Sequence, residues 1–269
     1  MNSDLFSLKG KIAIVTGGTG LLGKEHCKAL ASAGANVVVL DLNQELCAKF
    51  AKTLPTQSMG LAADITHPEN LNNAKEKIIE EFGKIDILVN NAAINDMVES
   101  PISMFESSKF ENYPIELFRK VMDINVTGVF ITSQIFGQEM LKHNSGSIIN
   151  IASTYGIVAP DQSLYKDSEG KQQFYKSPVY PTSKGAIISF TRFLAAYWGN
   201  QGIRVNSLTP GGVENNQDDT FIKKYSERTP LKRMAQANDY WGAIIYLASD
   251  ASLYVTGSNL VVDGGWTIW

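Results

Sequence analysis

Cysteine and histidine are nearly missing from this chain. Cys27 and Cys47 are the only thiols in 269 residues, and His26, His67 and His143 are scattered. Such spacing offers neither a metal-ligand cluster nor a histidine-based triad, so no metal is expected. Both cysteines fall in helical stretches and read as reduced packing residues of a cytoplasmic protein. No apolar run approaches the ~18 residues of a membrane span, and residues 1–9 are too few and too polar for a secretory leader. A basic block is missing as well. Lys and Arg number 24 against 27 Asp and Glu, a net charge of −3, without aromatic-basic interleaving, so neither nucleic acid nor a membrane is an expected partner. Repeats, linkers and low-complexity segments are also absent, so a single domain over residues 1–269 is expected.

Against those absences, residues 11–41 carry a dense pattern. Lys-Ile-Ala-Ile-Val-Thr at 11–16 is β-branched and almost wholly apolar, which suits a short buried strand. Gly17-Gly18-Thr19-Gly20-Leu21-Leu22-Gly23 follows at once, then a helical run ended by Gly34, then Asn36-Val-Val-Val-Leu40 closing on Asp41. Strand, glycine turn, helix, strand and acid within about 30 residues make a dinucleotide-binding unit. The glycines let the backbone turn tightly and approach a pyrophosphate, which the helix N-terminus attracts. Asp41 follows Gly23 by 18 residues, where a carboxylate can accept bonds from the adenosine ribose diol.

Beyond Asp41 the pattern alternates to the end. Helices are expected over 44–54, around Leu71, Ala74, Ile78 and Phe82, over 115–143 (one face Val126, Val129, Phe130, Ser133, Phe136 and Met140), over 180–198 and over 237–248. Strands are expected at 58–63, 85–90, 147–151, 203–208 and 259–262. This order predicts an α/β fold with a doubly wound, seven-stranded parallel sheet covered on both faces. Ligands of such sheets sit beyond the strand carboxyl ends. Asp41, Asp64, Asn91, Ser153 and Pro210-Gly211 fall there, and Tyr180 lies one helix along.

Tyr180-Pro-Thr-Ser-Lys184 puts a phenol and an ammonium four residues apart on one helix face. A nearby cation favours phenolate and lowers a tyrosine pKa toward the working range of a general acid/base. Pro181 suits the first helical turn.

These motifs, in this order, resemble the short-chain dehydrogenase/reductase family over nearly the whole chain. They are Thr16-Gly17…Gly23, Asn90-Asn91-Ala92, Asn125-Val-Thr-Gly128, Ser153, Tyr180…Lys184 and Asn206…Pro210-Gly211. The resemblance implies a single-domain Rossmann fold, a homo-tetramer or homo-dimer joined through the helices over 115–143 and 180–198, and a tetrad of Asn125, Ser153, Tyr180 and Lys184. Tyr180 would exchange the proton on the substrate oxygen and Ser153 would hydrogen-bond that oxygen. Lys184 would lower the tyrosine pKa and hold the nicotinamide ribose, and Asn125, interrupting its helix, would hold a relay water. It also implies that Gly17, Thr19, Gly20, Leu22, Gly23, Asp41, Leu42, Asp64, Ile65, Asn91, Ala92, Tyr180, Lys184, Pro210, Gly211 and Val213 bind the cofactor. The carboxylate of Asp41, followed by no cation in Leu42-Asn43-Gln44, points to NAD over NADP.

Three departures stand out. Leu21 occupies the position where the family's single-domain branch carries glycine; the glycine falls at Gly20, as in the larger sugar-nucleotide branch, whose added substrate domain 269 residues cannot hold. Ala93 replaces the usual glycine. Ser153 and Tyr180 are 27 residues apart, a longer gap than the family's usual one, and the extra residues form an insert at 156–177. A loop of that length inside a compact domain is expected to act as a lid or an oligomer contact.

Substrate-facing segments are expected at 94–114, 156–177 and 213–236. They carry Asn95, Asp96, Lys166, Lys171, Lys176, Asn215, Asn216, Arg228, Lys232 and Arg233, and Tyr165, Phe174 and Tyr175 offer apolar anchors. Such polarity favours a small polar substrate, a sugar or sugar phosphate, over a steroid or long acyl chain, although solvated loops are polar in any case. Lys166, Lys171, Lys176, Asn215, Arg228 and Arg233 are the substrate candidates. The insert and the ending Gly264-Gly-Trp-Thr-Ile-Trp269 also resemble those of sugar-acid dehydrogenases and of relatives in bacterial surface-sugar and flagellin-glycan pathways. The chemistry read here is interconversion of a secondary alcohol and a ketone. Open beside it stand a sugar dehydratase or epimerase that retains NAD, a reductase of another small carbonyl such as a 3-oxoacyl group, and a non-catalytic NAD sensor.

Overall fold

The computed structural model describes residues 5–96 and 105–269. Its strands are β1 (Ile12–Thr16), β2 (Asn36–Asp41), β3 (Met59–Ala62), β4 (Ile87–Asn90), β5 (Gly146–Ile151), β6 (Ile203–Pro210) and β7 (Asn259–Val262). They form one sheet in the order β3-β2-β1-β4-β5-β6-β7, parallel at every junction. The order reverses between β1 and β4, which opens a crevice beyond their carboxyl ends. Among the described residues, eight helices of eight residues or more frame the sheet: α1 (Leu21–Ser32), α2 (Gln44–Ala51), α3 (Pro68–Phe82), α4 (Ile115–Met122), α5 (Gly128–Lys142), α6 (Val179–Trp198), α7 (Asp219–Arg228) and α8 (Trp241–Ala248).

Strand alternation divides the core in two. Val15, Val37, Val39, Val89 and Ile149 face α1, α2 and α8, meeting Cys27, Leu30, Cys47, Ile244 and Leu247. Ile14, Val38, Leu40, Leu88 and Ile148 face the opposite way, onto Leu71 and Ile78 of α3, Phe136 and Met140 of α5, and Leu194 and Trp198 of α6. Side chains point to opposite faces at every step, so near-continuous apolar strands can serve both layers. Both thiols are buried and free, and burial pushes Cys47 up to about 11.

At Gly60 on β3 two backbones meet. A β-carbon there would lie 2.2 Å from the carbonyl carbon of Cys47 and 2.3 Å from the nitrogen of Ala48, so α2 would have to move away from the sheet. Gly60→Ala is expected to cost at least the ~1–3 kcal/mol of core overpacking. A denaturant midpoint equal to that of the parent protein would contradict this close approach.

The structure differs from the sequence reading at several places. The helix expected over 115–143 is broken by a π-helical turn at Asp123–Thr127. Phe130, expected on the buried face, is 48% exposed, because the turn resets the helical phase ahead of α5. The helix at 237–248 begins as a 3-10 turn, Ala237–Tyr240. No helix was expected at α7, whose sequence is mostly polar and buries only Tyr225; Asp218 starts it by accepting from Phe221 N at 3.0 Å. Within the segment 94–114, whose sequence shows no helical or strand periodicity, a single α-helical turn occurs at Phe105–Ser108 and a 3-10 turn at Phe110–Asn112, and residues 97–104 lie outside the described residues. Among the described residues no helix is long and apolar enough to cross a membrane.

Candidate active site

A cleft of about 1460 Å³ runs along the carboxyl edge of the sheet. Its cofactor end is built by the turn between β1 and α1. Gly17 has φ +61°, and a β-carbon on it would lie 2.8 Å from Cα of Ala92; one on Gly23 would lie 2.0 Å from the Gly17 oxygen. Asn91 locks the same turn from the side, donating to the carbonyls of Thr16 and Gly17 at 3.0 and 3.1 Å. No side chain caps α1 and no acid sits in its first turn. Its leading N–H groups and positive dipole end therefore face the cleft, which fits a dinucleotide diphosphate. Leu21, at the family's glycine position, is 46% exposed on the rim, so no close contact requires glycine there.

At the far wall Asp41 is fixed by three donors: Thr19 N at 3.0 Å, Thr19 Oγ1 at 2.5 Å and Leu42 N at 2.8 Å. Leu42, Asp64, Ile65, Asn91, Ala92, Pro210, Gly211 and Val213 all line the cleft, with Gly17, Gly20 and Leu22. Gly23 and Thr19 do not line it; Gly23 lets α1 close on the turn, and Thr19 holds Asp41.

Three of the four tetrad positions, Ser153, Tyr180 and Lys184, line the cleft together, while Asn125 is buried outside its lining and joins α6 through Ser183. Ser153, after β5, begins a 3-10 turn at Thr154–Gly156, accepting from Tyr155 N at 3.3 Å. Tyr180 is the second residue of α6 and lines the cleft with Ser153, whose hydroxyl is near enough to draw the phenol pKa down. Asn125 sits inside the π-helical turn, 1% exposed; Oδ1 accepts from Ile94 N at 2.8 Å while Nδ2 donates to the Ile94 carbonyl at 3.0 Å and to Ser183 Oγ at 3.2 Å. Lys184 is buried and donates to the Ile151 carbonyl at 2.8 Å. Burial lowers its pKa to about 8. Burial also raises the Tyr180 phenol above its ordinary value, and Ser153 pulls it partly back. That direction is opposite to the one expected from the Tyr-Lys spacing. The ammonium is 5.8 Å from the ring centroid and engaged with a carbonyl, and desolvation of the phenol outweighs it.

The insert at 156–177 folds over the remaining side. It contains a 3-10 turn, Gln162–Tyr165, and a bridge between Lys166 and Gln172. Tyr165 packs against Phe174 and Phe221, and its hydroxyl is 3.0 Å from that of Tyr155. Leu164, Tyr225, Met234 and Trp266 complete an aromatic wall, with Tyr225 stacked on Trp266 at 5.5 Å. The Tyr225 hydroxyl accepts from Gly212 N at 2.6 Å, so α7 is tied to the loop after β6. Of the substrate candidates, Lys166, Lys176 and Asn215 line the cleft, Lys166 and Asn215 with exposed side chains and Lys176 buried. Lys171, Arg228 and Arg233 do not line it. Lys171 is exposed at the tip of the insert. Arg228 pairs with Asp161 and covers the Trp266 ring, and Arg233 is held by Asp239 at 2.5 and 3.0 Å.

Comparison with known proteins agrees with this geometry. A family model described as "Enoyl-(Acyl carrier protein) reductase" matches residues 20–267. The chain is 33% identical to a short-chain type dehydrogenase/reductase from Mycobacterium marinum, with 98% of each chain covered and a TM-score of 0.82. The chain belongs to the short-chain dehydrogenase/reductase family. Like other short-chain dehydrogenases/reductases, it is an oxidoreductase working with a nicotinamide cofactor. The NAD-dependent glycerol dehydrogenase of Listeria innocua is 31% identical over 98% of this chain and 96% of its own length. A gluconate 5-dehydrogenase from Burkholderia cenocepacia J2315, solved in complex with NADP and tartrate, is 31% identical, covers 99% of this chain and 98% of its own, and has a TM-score of 0.84.

Sequence reasoning missed several residues around this short-chain dehydrogenase/reductase site. Tyr155 and Tyr225 come from segments without helical or strand periodicity, and Ser183 holds Asn125 from a position between Tyr180 and Lys184. A usable signal existed for Tyr225: Asp218 is a capping residue, and Phe221 and Tyr225 follow it at helical spacing.

Proposed function

We propose that this short-chain dehydrogenase/reductase is an NAD-dependent enzyme that interconverts a secondary alcohol and a ketone on a polyol or sugar-like substrate. The Ser153–Tyr180 hydroxyl pair, facing the cleft beside buried Lys184, carries the reading. When bound, the nicotinamide supplies the hydride acceptor or donor. Tyr180 takes the proton from the substrate hydroxyl during oxidation and returns it during reduction, while Ser153 hydrogen-bonds the same oxygen. Lys184 holds the nicotinamide ribose and favours phenolate once its ammonium turns from the Ile151 carbonyl. Asn125, in its interrupted helix, holds a water that passes the proton onward. The insert and α7 form a cover that excludes bulk water.

The aromatic wall with its hydroxyl rim supports a sugar-like substrate, since ring faces pack on C–H surfaces while the hydroxyls satisfy polar groups. The glycerol and gluconate dehydrogenase relatives support the same class. The fixed Asp41 carboxylate supports NAD as the cofactor. The test is a screen of NAD reduction and NADH oxidation over free and phosphorylated sugars, polyols and sugar acids. Turnover without net change in NADH would instead favour a dehydratase or epimerase.

A homo-oligomer belongs to this reading. Phe193 and Tyr197 on α6 stack at 5.8 Å while 60% and 62% exposed, and Phe130 on α5 is exposed beside Phe190. A second copy laid on α5 and α6 would bury this surface. Phe193→Asp is expected to shift the sedimentation coefficient to that of a smaller species; an unchanged value would place the contact elsewhere.

A further inference from the structure

We propose that Lys176 is the receptor for an anionic substituent of the substrate, a carboxylate or a phosphate on the molecule whose hydroxyl meets Tyr180. The inference rests on the reading of the cleft as an oxidoreductase site and narrows its substrate to acids of the sugar class. Lys176 is 7% exposed and lines the cleft. Its ammonium lies 4.7 Å from the centroid of the Tyr180 ring, closer than that of Lys184, which is 5.8 Å away. Two buried cations thus flank one phenol, and only Lys184 has a part in the reaction derived above. An anion on Lys176 would sit within one sugar residue of the reacting carbon.

Among the described residues no carboxylate forms an ion pair with this ammonium. Among the described residues its one hydrogen-bond acceptor is the neutral Asn95 Oδ1, although an ammonium carries three donors. The neighbouring carboxylate, Asp96, is engaged at both oxygens, accepting from Ser177 Oγ at 2.7 Å and from Tyr113 Oη at 2.6 Å. Asp96 attracts Lys176 from a distance without an ion pair, and burial is the larger influence, lowering the lysine pKa to about 8. A buried cation without a direct anion is costly, and the fold does not need this one. The Lys176 backbone is clamped independently, its N–H donating to Gln162 Oε1 at 2.7 Å and its carbonyl accepting from Gln162 Nε2 at 3.2 Å. A ligand anion completes the arrangement, converting that cost into affinity through charge-assisted hydrogen bonds.

The experiment compares the parent protein with Lys176→Gln, which retains a donor for Asn95 and removes the charge. NADH binding is measured first by fluorescence titration. Calorimetry on the NADH-saturated protein then measures D-gluconate, D-glucose 6-phosphate and neutral sorbitol. The expected result is that at least one anion binds the parent more tightly than sorbitol, and that Lys176→Gln weakens it about tenfold or more, the size of a lost charged hydrogen bond, while NADH binding stays the same. Which anion responds distinguishes carboxylate from phosphate. Equal anion affinities in the two proteins, or an anion bound no better than sorbitol, would overturn the proposal while leaving the oxidoreductase reading intact. So would a fall in kcat on neutral and anionic substrates alike with anion binding unchanged, which would make Lys176 a positioning residue for Tyr180. Failure of the parent itself to bind either NADH or NADPH would defeat the oxidoreductase reading instead.

Discussion

Tyr180→Phe is expected to lower kcat by about 10²–10⁴-fold, the contribution typical of a positioned general acid/base, with NADH affinity unchanged. The substitution keeps the ring that packs beside Lys176 and Lys184 and removes only the hydroxyl. A pH profile adds a second readout. The phenol is raised by burial, so its protonated form prevails at neutral pH; that is the form that gives a proton during carbonyl reduction. Alcohol oxidation needs the phenolate, so its rate rises with pH as the phenol ionises, while the reduction rate falls through the same range. Lys184 limits the gain, because its ammonium is lost above about pH 8 and with it the cation that favours phenolate. The rise should be absent from whatever activity Tyr180→Phe retains. Full turnover by Tyr180→Phe on a verified substrate would mean that another group moves the proton. Lys184→Met, by contrast, should weaken both turnover and NADH binding, since one ammonium serves both.

The sheet was legible because its central strands β1, β2, β4 and β5 are short, largely apolar and buried, and polar residues at or just past their ends, Asp41, Asn91 and Ser153 among them, are brought by the topology to a single edge. Ser153 and Tyr180 lie 27 residues apart in sequence and line one cleft in space; motif order anticipated that meeting, while spacing alone did not. Electrostatic direction was less legible. Four residues between Tyr180 and Lys184 fix a shared helix face, yet desolvation depends on everything packed around that face, including an insert with no periodicity of its own. The same holds for the three insert lysines. Lys166, Lys171 and Lys176 are equivalent in sequence, and only the return of the chain to α6 buries the last of them. Helix α7 was hidden for another reason: it buries Tyr225 alone, so it lacks the apolar stripe that marks a helix in sequence. The π-helical turn was legible only as the expected interruption at Asn125, because Val126 and Phe130 keep apparent helical register across it.

Cofactor choice is the other large expected effect. Asp41→Ala should weaken NAD by at least the ~1.5–3 kcal/mol assigned to hydrogen bonds with a charged partner, and should strengthen NADP at the same time. The fold cannot decide the matter, since a gluconate 5-dehydrogenase sharing it at a TM-score of 0.84 was solved with NADP. Local charge at the end of β2 is expected to decide it. Here the carboxylate is held in place by Thr19 N, Thr19 Oγ1 and Leu42 N, so an incoming 2′-phosphate would meet an anion that cannot swing away. A free diol donates hydrogen bonds to the same oxygens. Thr19 separates orientation from charge: Thr19→Val removes the 2.5 Å bond and leaves the carboxylate on its two backbone donors alone, so NAD should weaken without NADP gaining as much as in Asp41→Ala. Titrations of both cofactors against the three proteins give the result directly. Equal affinity of the parent for NAD and NADP, or a selectivity untouched by Asp41→Ala, would show that discrimination does not reside at Asp41.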